Sequence, residues 1–150
     1  MIYVREDISS KQLSKHTFKH DIEGIFLELN LNKYKLLVLG TYHPPNQDNQ
    51  YYLDNISNSL DLYLRDYDRF MLIGDFNIMD SDQCFSDFAL QYDAKNIVKE
   101  PTCFKSISNP STIDLIVTNT PRSCWNTKAF INSLSDSHSL VTTVLNIEYI

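Results

Sequence analysis

Several short stretches of this chain carry residue types that can act on a phosphate. In Leu72-Ile73-Gly74-Asp75-Phe76-Asn77 a buried apolar run reaches a glycine and then presents two polar residues, Asp75 and Asn77. Along an extended chain alternate residues share a side, so the pair at the end of a central strand can bind or orient a metal, a water or a phosphate oxygen. A strand that closes in an Asx turn, with both side chains capping backbone groups, is the other reading. In Ser111-Thr112-Ile113-Asp114-Leu115-Ile116-Val117-Thr118-Asn119 one carboxylate interrupts an apolar run. A charge there requires a partner, and a histidine held in one tautomer by Asp114 is the partner most useful to an enzyme. Asp114 capping a strand end at the surface is the alternative.

Two further stretches supply the remaining candidates. His138 stands in Ser135-Asp136-Ser137-His138-Ser139-Leu140, beside an acidic residue and just before an apolar run, as a general base would. Of the other histidines, His16 and His20 sit in a polar, lysine-containing stretch that reads as exposed. In Gly40-Thr41-Tyr42-His43-Pro44-Pro45-Asn46, Tyr42 can donate a hydrogen bond to a phosphate oxygen and His43 can add positive charge. Aromatic core packing is the alternative for Tyr42.

The elements that must position these residues follow from apolar patterning. Ile2 to Val4, Ile22 to Leu29, Lys35 to Tyr42, Phe70 to Gly74, Ile113 to Thr118 and Leu140 to Ile147 read as strands. Leu36-Leu37-Val38-Leu39 and Phe70-Met71-Leu72-Ile73 are apolar on both faces and belong in the middle of sheets. Leu53, Ile56, Leu60, Tyr63, Leu64 and Tyr67 keep the spacing of a helix with one buried face, which makes a strand, helix, strand unit. A second helix is expected from about Ser81 to Tyr92, and Asn46 to Gln50 reads as a loop.

Composition bounds the rest. A chain of 150 residues with 43% hydrophobic side chains is expected to be one domain. No apolar run approaches the ~18 residues of a membrane span, so no membrane partner is expected. Cys84, Cys103 and Cys124 show no paired spacing and read as reduced packing residues. With 13 basic and 19 acidic residues the net charge is −6, which argues against broad electrostatic DNA binding and fits carboxylates gathered around a hard cation.

In chain order, Gly-Thr-Tyr-His-Pro-Pro-Asn, Gly-Asp-Phe-Asn, Pro101-Thr102, Ser-Thr-Ile-Asp-Leu-Ile-Val-Thr-Asn and Ser-His-Ser-Leu-Val resemble the endonuclease domain of non-LTR (LINE-type) retrotransposons. That family belongs with deoxyribonuclease I and the abasic-site endonucleases, in the endonuclease/exonuclease/phosphatase superfamily. The resemblance implies an α+β fold, a two-sheet β-sandwich flanked by helices in four layers. It implies divalent-metal-assisted phosphodiester hydrolysis, with Mg²⁺ or Mn²⁺, that nicks DNA to prime reverse transcription. By the family pattern Asp75 orients or deprotonates the attacking water and Asn77 binds the phosphate. His138 contacts the phosphate or acts as base, Asp114 holds that histidine, Tyr42 contacts the phosphate, and His43 stands where an arginine is commoner.

The resemblance also sets expectations about what differs. Ile2-Tyr3-Val4-Arg5 is similar to an internal strand of the family, whose early Asn and metal-binding Glu lie upstream of it. The reading is therefore a single domain over residues 1–150 that lacks its N-terminal strands, with an exposed sheet edge and weak or lost activity. Where the family has Asp-His, this chain has Asp136-Ser137-His138: either Ser137 replaces the acid, or a one-residue shift makes Asp136 the metal ligand. A reverse transcriptase domain is expected in the parent polyprotein, and the location is intracellular, nuclear if functional. An inactive remnant that binds DNA or a partner is the alternative, and a phosphatase of the superfamily ranks last.

Overall fold

The computed structural model describes residues 1–15, 18–32, 34–131 and 135–146, so His16 and Ile147 lie outside the described residues. The sheet that carries the site has six strands, β1 (Ser10–Leu13), β2 (Glu23–Leu31), β3 (Tyr34–Tyr42), β4 (Phe70–Asp75), β5 (Lys95–Asn96) and β6 (Asp114–Thr118), in the order β1-β2-β3-β4-β6-β5. Only β3 and β4 are parallel, because helix α1 (Asn49–Tyr63) returns the chain between them. The expected strand, helix, strand unit is present. The remaining strands, β7 (Cys124–Phe130) and β8 (Leu140–Leu145), pair antiparallel as a second sheet.

Strand alternation sorts the first sheet into two faces. Leu37, Leu39, Phe70, Leu72, Leu115 and Val117 point one way and pack beneath Tyr52, Leu53, Ile56, Leu60 and Tyr63 of α1 and Phe85 and Phe88 of α2 (Gln83–Gln91). Val38, Met71 and Ile116 point the other way, toward Cys124, Val141 and Leu145 of the second sheet. The layers are thus helix, sheet, sheet, an α+β two-sheet sandwich with both described helices on one outer face. Leu36, Leu37, Val38 and Leu39 are only 2%, 0%, 6% and 0% exposed, which is why β3 reads as apolar on both faces. Each fully buried Leu or Ile contributes about 1.5–3 kcal/mol of transfer free energy, so this stack makes the sheet centre rigid.

The N-terminus of α1 is set by Asp48, whose backbone is extended and whose side-chain oxygen accepts the Tyr51 N–H at 2.8 Å. Helix α1 therefore begins inside the stretch read as a loop. Asp48→Ala is expected to cost about 1 kcal/mol, seen as a lower urea midpoint with an unchanged slope.

Four strand segments differ from expectation, the two-residue β5 among them. Ile2 to Val4 has no ladder partner among the described residues; Ile2 and Val4 instead lie half-buried against the inter-sheet core as irregular chain. Strands β1 and β7 have no counterpart in the apolar patterning, β1 because Ser10, Lys11 and Gln12 are exposed and β7 because a bulge breaks its alternation. The three cysteines are free, as expected. No described helix is long and apolar enough to cross a membrane.

Candidate active site

Register decides which polar residues meet. Asp75 is the last residue of β4 and Asp114 the first of β6, and they are direct partners in the antiparallel ladder. Tyr42, the last residue of β3, is paired with Asp75 on its other side. Partners in register share a face, so Tyr42, Asp75 and Asp114 form one row facing the second sheet, at the rim of the inter-sheet core. His138 reaches the row from the segment leading into β8. Ser135 Oγ accepts the N–H groups of Ser137 (3.3 Å) and His138 (3.0 Å) and so bends the chain to aim the ring.

The imidazole is oriented by a carboxylate. His138 Nδ1 lies 2.9 Å from Asp114 Oδ2 and 3.2 Å from Oδ1, and since a carboxylate only accepts, Nδ1 is the donor. Asp114 is itself held from behind. The buried Thr102 Oγ1 accepts the N–H of Ile113 at 3.2 Å and of Asp114 at 3.0 Å. Thr102 belongs to the Pro101-Thr102 pair of the sequence motif, and these two bonds give it a positioning role that only the fold makes visible. Ligand atoms of Asp75, Asp114 and His138 lie within 4.8 Å of one another.

Asp75 is electrostatically uncomfortable. Burial pushes its carboxyl above the ordinary carboxylate range; the Asn77 N–H, bonded at 3.1 Å, opposes this, Asp114 adds to it, and His138 and Lys105 oppose it. A carboxyl that binds its proton more tightly folded than unfolded gives stability that is greatest below its ordinary value of 3.8 and is lost as pH rises through the folded-state value. Asp75→Asn is therefore expected to be at least as stable as the unsubstituted chain at pH 7, with the gap closing in acid. A variant about 1 kcal/mol or more less stable at pH 7, by urea titration, would contradict this.

The other expected residues fall as follows. Asn77 does not continue the strand alternation: β4 ends at Asp75, and Asn77 takes a left-handed φ of +46°. Its N–H closes an Asx turn on Asp75 Oδ1, and its side-chain amide donates to the His43 carbonyl at 2.7 Å. Asn77 thus holds the turn that presents Asp75. Tyr42 is exposed, at the row's end.

His43 is a correction. Being next to Tyr42 it faces the opposite side of the sheet, toward α1, where it is 1% exposed and stacks on Tyr52 with ring centroids 4.2 Å apart. Its ring nitrogens lie 2.7 Å from the Phe76 carbonyl and 3.1 Å from the Gln47 carbonyl. It is a core residue behind the Gly-Asp-Phe-Asn turn and does not face the Tyr42–Asp75–Asp114 row. Asp136 is a second one. It sits exposed in the bend before β8 and is not in the cluster, so the carboxylates that the fold brings together are Asp75 and Asp114.

One neighbour of the cluster was read from the sequence only as a packing residue. Cys103 forms a two-residue antiparallel bridge with His138, and its Sγ lies 3.8 Å from His138 Nε2. Cys103 is separated from His138 by 35 positions, and no spacing signal joins them.

A hard divalent cation fits this donor set. Mg²⁺ is usually held through one or two carboxylates with water and phosphate oxygens completing the shell, and Asp75 and Asp114 offer two. Their mutual repulsion is what such an ion relieves.

No protein-family model matches the chain, and no curated protein matches it. Solved structures do. The endonuclease domain of TRAS1, a telomere-specific non-LTR retrotransposon, aligns over 96% of this chain and 71% of its own, at a TM-score of 0.77 and 12% identity. The catalytic domain of human Nocturnin with bound sulfate aligns over 92% of this chain and 60% of its own, at 0.63 and 16%. The 3′ phosphatase NExo from Neisseria, bound to product DNA hairpin, aligns over 95% of this chain and 71% of its own, at 0.62 and 10%. The chain thus spans part of the length of each. With the two-sheet order and helix placement described above, these matches establish that the chain has the deoxyribonuclease I-like fold of the endonuclease/exonuclease/phosphatase structures.

Proposed function

We propose that the chain is a metal-dependent phosphodiesterase that nicks DNA, and that the nick serves to prime retrotransposon reverse transcription. The observation that carries the reading is the cluster of Asp75, Asp114 and His138, with the Asp114 carboxylate on His138 Nδ1. Fixing Nδ1 as the donor leaves Nε2 to take a proton from the attacking water or to contact the scissile phosphate. Asp75 orients that water, and Tyr42, on the same face, donates to a phosphate oxygen. Asp75 and Asp114 hold the divalent ion, Mg²⁺ or Mn²⁺. When bound, the ion supplies positive charge against the phosphate oxygens, which a chain of net charge −6 otherwise lacks.

The DNA substrate and the priming role rest on the sequence motifs together with the TRAS1 and NExo folds. A reverse transcriptase domain in the parent polyprotein and a nuclear site of action follow from the same reading. Because Asp136, the ligand expected from the family pattern, stands outside the cluster, nicking is expected to be slow. The test is conversion of supercoiled plasmid to open circles by excess protein with magnesium or manganese, against a chelator control. A second reading, a binding module without activity, is favoured by one observation: Ser137 occupies the place beside His138 where the family has its acid, and its carbonyl is engaged by the Phe104 N–H at 2.7 Å. A folded chain that retards DNA and never nicks it would support that reading.

A further inference from the structure

We propose that Cys103 Sγ and His138 Nε2 form a binding site for a soft divalent cation of the zinc class, distinct in its donor atoms from the two-carboxylate site for a hard ion. The pair is built into the backbone. Phe104 N–H donates to the Ser137 carbonyl and Ser139 N–H to the Thr102 carbonyl, each at 2.7 Å, so Cys103 and His138 are held face to face as cross-strand partners. Their separation of 3.8 Å is close to that of a shared ion: a sulfur at about 2.3 Å and a nitrogen at about 2.0 Å from a tetrahedral centre stand about 3.5 Å apart.

The other ring nitrogen strengthens the assignment. A metal-binding histidine nearly always donates its second N–H to a carboxylate or carbonyl, and His138 Nδ1 already does so to Asp114. The Cys103 side chain is buried, and the His138 side chain, 23% exposed, is the open wall through which an ion enters. The other two thiols are engaged elsewhere: Cys84 Sγ donates to Asp82 at 2.8 Å and Cys124 Sγ to the Thr120 carbonyl at 4.0 Å. On binding, the Cys103 S–H bond breaks, a sulfur–metal bond forms and the proton leaves to solvent. Water completes the shell.

If the proposed hydrolytic role of His138 is correct, an ion on Nε2 removes the base and inhibits nicking. This last clause rests on the functional reading; the site itself does not. Cadmium is the probe, because a thiolate bound to it absorbs in the ultraviolet by charge transfer. The expected result is one equivalent of that absorbance, abolished by Cys103→Ser, weakened at least about tenfold by His138→Ala and by Asp114→Asn, and unchanged in Cys84→Ser and Cys124→Ser. Should Cys103→Ser not fold, ring-nitrogen NMR of the unsubstituted chain replaces it, with the His138 Nε2 resonance moving on zinc addition. Absorbance that follows Cys84 or Cys124, survives His138→Ala undiminished, or never appears overturns the site. Absorbance without nicking would retain the site and remove the phosphodiesterase reading; chelator-sensitive nicking without absorbance would do the reverse.

Discussion

His138→Ala is expected to lower plasmid nicking by about a hundred- to ten-thousandfold, the usual contribution of a positioned acid or base. The ring is oriented through Asp114, so Asp114→Asn should fall in the same range, and the double variant should be little worse than either alone, because residues acting as a unit are not additive. The Asp114–His138 contact, one hydrogen bond at a partly exposed site, contributes about 0.5–1.5 kcal/mol to stability. The loss should therefore appear in rate while the urea midpoint moves only slightly. A His138→Ala chain that nicks within about threefold of the unsubstituted one would remove this histidine from the chemistry, against the range just given.

The largest effect on stability is expected at Gly74. It lies in the centre of the first sheet, directly opposite Thr41 in the parallel β3–β4 ladder, with a φ of +157°. A Cβ at this position would lie 1.8 Å from the Thr41 carbonyl oxygen and 2.8 Å from its carbon. These are backbone atoms, which cannot turn away as a side chain would, so the two central strands must separate. Gly74→Ala is expected to cost about 3 kcal/mol or more, a large part of the 5–15 kcal/mol that holds a domain of this size. Asp75 is the next residue, so the Tyr42–Asp75–Asp114 row is disturbed with it. A loss below about 1 kcal/mol in urea unfolding would show that the ladder adapts more easily than its geometry indicates.

How much of this was legible in the sequence depends on the range of the interactions. The central strands and α1 are visible because burial imprints its own period: Leu36 to Leu39 are apolar throughout, and Tyr52, Leu53, Ile56, Leu60 and Tyr63 fall on one helical face. Strand β1 leaves no such trace, since its side chains face solvent, and the bulge at Asn126 with its φ of +53° hides β7. At the site, Asp75, Asp114 and His138 stand out as polar residues at the ends of apolar runs. Which carboxylate joins them is set by register, and it selected Asp114 opposite Asp75 while Asp136 remained in the bend. His43 lies in the core for a local reason: alternation sends it to the face opposite Tyr42, against Tyr52. Cys103 and Thr102 acquire meaning only when segments 12 to 35 positions apart are laid side by side.

The Asp75–Asp114–His138 cluster is proposed to hydrolyse phosphodiesters with a divalent ion. The most direct measurement is the rate at which the purified, folded 150-residue chain, in excess over supercoiled plasmid, forms open circles in magnesium or manganese, run beside Asp75→Asn and His138→Ala. The expected result is slow conversion that a chelator stops and both substitutions abolish. Conversion that survives the chelator or either substitution, or no conversion by a chain whose circular dichroism shows it folded, would contradict it.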